Sequence, residues 1–180
     1  MDPTDLYRRA TAAAGDVVDV VQPEQLASPT PCSEWSVQDL IDHLTSGTQY
    51  LLAGIEGRAP APAVGSDATQ FRAGAAAVVR ALGQPGALER TCLSPLGFEW
   101  PIVQAVMGTV MDLVVHTWDV AQATGQTVSL DPDLVAFCVS TFLPDMPERG
   151  REAGIVGPAV AVADGAPEHV RLLGAMGRRA

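Results

Sequence analysis

The sequence predicts an all-α protein, and three observations carry that prediction. Apolar residues recur at three- and four-residue spacing through long stretches, these stretches open on capping signals, and Gly- and Pro-rich segments separate them. Strand-like character is confined to short pieces such as Arg90-Thr-Cys-Leu93, so a small hairpin is the most sheet the chain should hold. At 180 residues the chain fits one domain, 1–180, large enough to bury a core without disulfides or a structural metal.

From Pro3 to Val21 the positions Leu6, Ala10, Ala13, Val17, Val20 and Val21 keep helical spacing, with Asp2 or Thr4 as cap. Gln22 to Trp35 holds three prolines, each removing a donor and restricting its predecessor, so an ordered loop ending at Trp35 follows. Ser36-Val-Gln-Asp39 has capping-box spacing and starts a helix through Leu40, Ile41, Leu44, Leu51, Leu52 and Ile55 to Glu56. Gly57 to Gly65 breaks it, and Asp67 to Leu82 resumes the period through Phe71, Ala75, Val78 and Leu82. Between Gly83 and Pro101 the turn signals Gln84-Pro-Gly86 and Ser94-Pro-Leu-Gly97 fit a hairpin or an irregular crossover. Pro101 can open a long helix that Gly125 ends, roughly 34 Å at 1.5 Å per residue. Asp131-Pro-Asp-Leu begins a shorter helix to Phe142, stopped by Leu143-Pro-Asp-Met-Pro147. Glu148 to Pro167 is expected to be extended or loop, before a terminal helix from Glu168 to Met176.

Composition excludes several functions. The net charge is −10, Lys is absent and the 11 Arg are scattered, so no phosphate-binding surface is expected and nucleic acid is not the partner. Cys32, Cys92 and Cys138 are odd in number and widely spaced, which fits reduced thiols of a cytoplasmic protein rather than a disulfide framework or zinc finger. No apolar run approaches ~18 residues and the start lacks a leader-like apolar region, so neither membrane nor secretion is expected. G-x-S-x-G, the phosphate-binding G-x-x-x-x-G-K-[ST] and the dinucleotide glycine fingerprint are all missing.

The helix through Val106–Thr124 is apolar nearly all round, yet Thr109, Asp112, His116 and Asp119 fall on one stripe at about 100° per residue. That stripe is either the solvent edge of an amphipathic helix or half of a metal site, since an acid and an imidazole at i and i+4 can share a cation. Lys, Arg and Glu, the usual solvent-face residues, are absent from its centre. On the earlier helix His43 shares a stripe with Asp39, Ser46, Gly47, Tyr50 and Gly54, where small neighbours leave room for a ligand. It is either a half-buried histidine bonded to a neighbour or, facing Asp112 and His116, a third ligand. Asp119 is expected to accept a bond from an adjoining segment, the other role being to orient an imidazole. His169 should face solvent, and Cys32 should pack.

Two blocks, Ser28-Pro-Thr-Pro-Cys-Ser-Glu-Trp-Ser-Val-Gln-Asp-Leu-Ile-Asp-His-Leu44 and Asp112-Leu-Val-Val-His-Thr-Trp-Asp-Val-Ala-Gln-Ala-Thr-Gly125, carry a family resemblance. With the ending Val170-Arg-Leu-Leu-Gly-Ala-Met-Gly-Arg178, the chain resembles the DinB-like superfamily, specifically proteins similar to the N-terminal domain of mycothiol-dependent maleylpyruvate isomerase. The resemblance implies a DinB-like four-helix bundle with a long crossover, and a divalent metal held by His43, Asp112 and His116. Zn is the expected ion, with Ni or Mn as alternatives, and a mycothiol-type thiol is the implied cofactor. The family pattern has Glu where this chain has Asp112, one methylene shorter, so a backbone shift or bridging water must supply the missing reach.

These readings converge on a metal-dependent, thiol-using transferase or isomerase-like enzyme acting on a small electrophilic substrate, with a homodimer as a compatible assembly. The alternative is a non-catalytic helical bundle that binds a small molecule or a protein and keeps a degenerate metal site.

Overall fold

The computed structural model describes residues 1–143 and 145–180. Among them the elements run α1 (Pro3–Asp19), α2 (Val37–Glu56), α3 (Ala68–Leu82), β1 (Thr91–Leu93), β2 (Glu99–Pro101), α4 (Ile102–Thr124), α5 (Pro132–Phe142), α6 (Asp145–Glu152) and α7 (Glu168–Ala175). The chain divides into two compact units, Met1–Val128 and Ser129–Ala180. No helix among the described residues is long and apolar enough to cross a membrane.

The helices of the first unit start where side chains satisfy their orphan amides. Asp2 accepts from Thr4 N at 3.1 Å. Ser36 and Asp39 cap each other, Asp39 N donating to Ser36 Oγ at 3.3 Å and Ser36 N to Asp39 Oδ2 at 2.8 Å. Asp67 and Gln70 do the same for α3. Gly57 and Gly125 end α2 and α4 at φ 69° and 71°, a left-handed conformation that costs an L side chain about 1 kcal/mol or more.

Contacts at the helix ends fix the directions. Gln126 Nε2 donates to Val17 O at 3.0 Å, which places the ends of α1 and α4 together. Leu40, early in α2, joins Val17, Val120 and Ala121 in one apolar cluster. Arg72, early in α3, reaches Asp16 and Asp19, late in α1. Thus α1 and α4 run one way and α2 and α3 the other. The segment between the parallel pair α2 and α3 must travel back along the bundle, and it does: Ala63 N donates to Ser46 Oγ at 2.9 Å and Ser66 N to Asp42 Oδ1 at 2.6 Å. This is the long crossover that the resemblance implied. Helix α1 packs on α3 and α4, and α2 on α3 and α4. Between them Leu6, Leu40, Leu51, Phe71, Val78, Ile102 and Leu113 are buried, each large side chain stabilising the fold by about 1.5–3 kcal/mol.

The return from α3 to α4 is the antiparallel hairpin β1–β2, with Cys92 opposite Trp100. In the second unit α5 packs on α7. One expectation is corrected there: residues 145–152, expected as a helix stop followed by loop, form α6. Pro147 sits in the first turn, where its missing N–H costs nothing, and Asp145 and Glu148 at the start with Arg149 and Arg151 at the end suit the helix dipole. Gly150 has no room for a side chain, since a Cβ would lie 2.4 Å from Val156 Cγ2. The expected stop also includes Pro144, which lies outside the described residues.

Candidate metal centre

Helix α2 brings in His43 in its second turn, and α4, antiparallel to it, brings in Asp112 and His116 one turn apart. The Asp112 carboxylate lies between the two imidazoles. His43 Nε2 donates to Asp112 Oδ2 at 2.9 Å, and His116 Nε2 is 3.3 Å from Asp112 Oδ1. The far nitrogen of the second ring, His116 Nδ1, donates to Asp119 Oδ2 at 2.8 Å. One donor atom each from His43, Asp112 and His116 can be chosen so that all lie within 4.8 Å of one another. Two imidazole nitrogens and a carboxylate oxygen so disposed are the donors a divalent cation such as zinc prefers, with coordination positions left over for a ligand. The donor set therefore fits the ion that the family resemblance implies.

Burial is graded along the stripe. The Asp112 and His43 side chains are 37% and 35% exposed, that of His116 8%, and Asp119 is fully buried. The stripe is thus not a solvent edge, for its second half points into the bundle. Asp119, expected to serve an adjoining segment, meets His116, the other role open to it. The reason is geometric: three residues along a helix returns nearly to the same face, and the core offers the imidazole N–H no water.

Electrostatics follow from this enclosure. Burial alone would raise the Asp112 carboxyl, but the charges of His116 and His43 and their hydrogen bonds hold it far below the usual carboxylate range. Burial alone would lower His116, yet the Asp112 charge and hydrogen bond, followed by those of Asp119, push it up to about 9. Without a cation, His116 is therefore a protonated imidazolium at neutral pH, set between two carboxylates.

Trp35 completes the centre. Its ring centroid is 4.7 Å from that of His43 and 5.7 Å from that of His116, and the two imidazoles are 5.0 Å apart and nearly perpendicular. Sequence reasoning took Trp35 only as the end of a loop. The signal available was its place directly before the Ser36 cap of the helix that carries His43. On the side toward the hairpin the centre is bordered by Gly47, whose nearest neighbour to an added Cβ is Thr109 Cγ2 at 4.0 Å. Farther along, Tyr50 Oη donates to Leu93 O at 2.9 Å and accepts from Trp100 Nε1 at 2.8 Å. His169 is exposed. Cys32 packs against the Val17, Leu40, Val120 and Ala121 cluster.

Comparison with known proteins places these features. Residues 7–121, which include His43, Asp112, His116 and Asp119, match the profile of the family described as mycothiol maleylpyruvate isomerase N-terminal domain. Two uncharacterized proteins of Mycobacterium tuberculosis, one from each of two strains, are each 36% identical over 135 residues, covering 74% of this chain and 74% of each relative. Among solved structures, the crystal structure of a histidine-to-alanine mutant of mycothiol-dependent maleylpyruvate isomerase is similar, with a TM-score of 0.64 at 12% identity. That match covers 82% of this chain and 71% of the other, and at such identity it establishes the shared DinB-like fold alone.

Proposed function

The chain belongs to the mycothiol maleylpyruvate isomerase N-terminal domain family, and from that premise we propose that it is a metal-dependent enzyme of transferase or isomerase-like type, using a mycothiol-type thiol on a small electrophilic substrate. The observation that carries this reading is the convergence of His43, Asp112 and His116 donor atoms within 4.8 Å, with Asp119 behind His116. These three residues would hold a divalent cation, zinc before nickel or manganese. A cation bound there supplies the positive charge that lets a thiol ionise near neutral pH and attack an electrophilic carbon. Asp119 keeps the Nδ1 proton of His116, which leaves the Nε2 lone pair for the centre once the second proton has left. The half-exposed faces of Asp112 and His43 give a small molecule access. We read the protein as cytoplasmic, with neither nucleic acid nor membrane as its partner.

Elemental analysis of protein from zinc-supplemented cells tests the reading, together with consumption of a low-molecular-weight thiol in the presence of an activated alkene. The expected result is about one ion per chain, with His43→Ala and His116→Ala each removing both the ion and the thiol addition. Wild-type protein without a divalent ion, and variants unchanged in metal content and stability, would sink it.

A second reading is favoured by one specific contact. Asp112 already lies within bonding distance of both imidazoles, so the cluster can satisfy itself as a degenerate site in a non-catalytic bundle that binds a small molecule or a protein. Asp112→Glu separates the two readings. A large gain in zinc retention marks the natural site as degenerate, and no gain counts against that.

A further inference from the structure

We propose that Trp35 is the positioning residue of His43, doing through ring contact what Asp119 does for His116 through a hydrogen bond. The inference rests on reading the cluster as a cation site and concerns how its least constrained ligand is held. An imidazole ligand ordinarily donates its remote N–H to a fixed acceptor, which sets tautomer and ring orientation. His116 has that acceptor at 2.8 Å. His43 does not: among the described residues its ring bonds only Asp112, through the nitrogen that faces the centre. Rotation about the last side-chain torsion of a histidine is soft, so one bond leaves the ring free to swing. The Trp35 indole lies against the ring, its centroid 4.7 Å away and its plane tilted 45°, and so limits that swing.

The indole can serve this purpose because it is itself fixed. Trp35 N donates to Cys32 O at 2.8 Å, Thr30 Oγ1 donates to Trp35 O at 2.8 Å, and Val37 N donates to Ser28 O at 3.0 Å. The side chain packs against Val17, Leu40, Val120 and Ala121. Because Ser36, the next residue, caps α2, Trp35 and His43 are placed by one continuous piece of chain. An aromatic face also favours an imidazole that carries positive charge, as it does when bound to a cation. Trp35 contacts His116 as well, at 5.7 Å, so it closes one side of both rings and leaves approach to the centre from the side of Gly47 and Thr109.

The test measures zinc affinity by competition with a chromophoric chelator, below the melting temperature of every variant. Trp35→Ala should weaken zinc binding about 10-fold or more, whereas Trp35→Phe, which keeps a ring, should stay within about threefold of wild type. Val17→Ala trims one of the side chains behind the indole without touching the imidazoles, so it should lower stability and cost zinc affinity clearly less than Trp35→Ala. In a Trp100→Phe, Trp118→Phe background, Trp35 emission should change on zinc addition with the midpoint found by competition. The proposal is overturned if Trp35→Ala binds zinc as wild type does, if Trp35→Phe loses as much as Trp35→Ala, or if Val17→Ala loses as much as Trp35→Ala. Failure of the wild-type protein itself to bind zinc overturns it together with the metal reading, an outcome distinct from the other three.

Discussion

Helices α2 and α4 face each other along their whole length, but they are finished differently at their two ends. Toward the hairpin the interface is filled. A Cβ on Gly54 would lie 2.9 Å from Cys92 Cβ and 3.0 Å from Ile102 Cδ1, and the Tyr50 hydroxyl is bonded to Leu93 O and Trp100 Nε1. Toward the loop the same pair of helices holds ionisable donors and leaves space, with Thr109 Cγ2 4.0 Å from a Cβ on Gly47. A glycine within a helix costs about 1 kcal/mol relative to alanine. At the hairpin end close packing explains that cost, and beside His43 packing does not. The difference separates the part of the interface that holds the bundle shut from the part that is kept open next to its charged groups.

The largest effect should come from removing charge behind the open end. Asp119→Asn keeps the shape of the acceptor for His116 Nδ1 but removes a fully buried negative charge. Zinc affinity should fall about 10–100-fold, measured by chelator competition. Wild-type affinity in this variant would mean that Asp119 serves packing alone. At the closed end the expected cost is structural. Gly54→Ala must push Cys92 or Ile102 aside, an overpacking penalty of about 1–3 kcal/mol, offset in part by the ~1 kcal/mol of helix propensity gained. Chemical denaturation should show a net loss of up to about 2 kcal/mol, with zinc affinity unchanged.

The two helices were more legible in the sequence than the site between them. Apolar period, the Ser36–Asp39 capping box and the Gly125 stop predicted α2 and α4 nearly to the residue, because those signals act within one or two turns of chain. The stripe of Asp112, His116 and Asp119 was visible as a period, but periodicity cannot tell a buried stripe from a solvated one, and only packing settled that His116 and Asp119 point inward. Trp35 could not be placed. Its ring reaches the imidazoles because the 20–36 loop folds back through Thr30 and Ser28, contacts that no spacing rule encodes. Helix α6 was missed for a related reason: prolines and glycines read as breakers, whereas Pro147 occupies a first turn and Gly150 makes room for Val156.

Titration sharpens the comparison further. Burial, then the Cys92 hydrogen bond, hold the Tyr50 hydroxyl well above its ordinary range, so Tyr50 should stay protonated between about pH 5 and 9. The open end should respond, and in opposite senses with and without zinc. His116 is raised to about 9 in the fold, so in metal-free protein its contribution to stability is complete below the ordinary histidine range of about 6.5. It is lost as pH rises through about 9, and the metal-free protein should denature more readily at the alkaline end of that interval. Zinc, by contrast, must displace the His116 proton, so its affinity should climb by up to about tenfold per pH unit and level off above about 9. Parallel trends for stability and zinc affinity would show that His116 is not the group exchanging proton for metal.

The smallest effect is the most direct measure of the open space. Gly47 is one turn along α2 from His43 and has no left-handed backbone to preserve. A methyl group there meets only Thr109 Cγ2, at ordinary van der Waals distance. Gly47→Ala should therefore stabilise the metal-free protein by about 0.5–1 kcal/mol in chemical denaturation, the opposite sign to Gly54→Ala on the same helix. Zinc affinity should not change, because the new methyl touches none of His43, Asp112 or His116. The added bulk would instead fall on whatever occupies the side of the centre away from Trp35, so a rise in KM for a thiol or electrophile, alongside higher stability, would locate the bound ligand over Gly47. A loss of stability would show that the gap beside Thr109 is already filled, and the contrast between the two ends of the α2–α4 interface would fail.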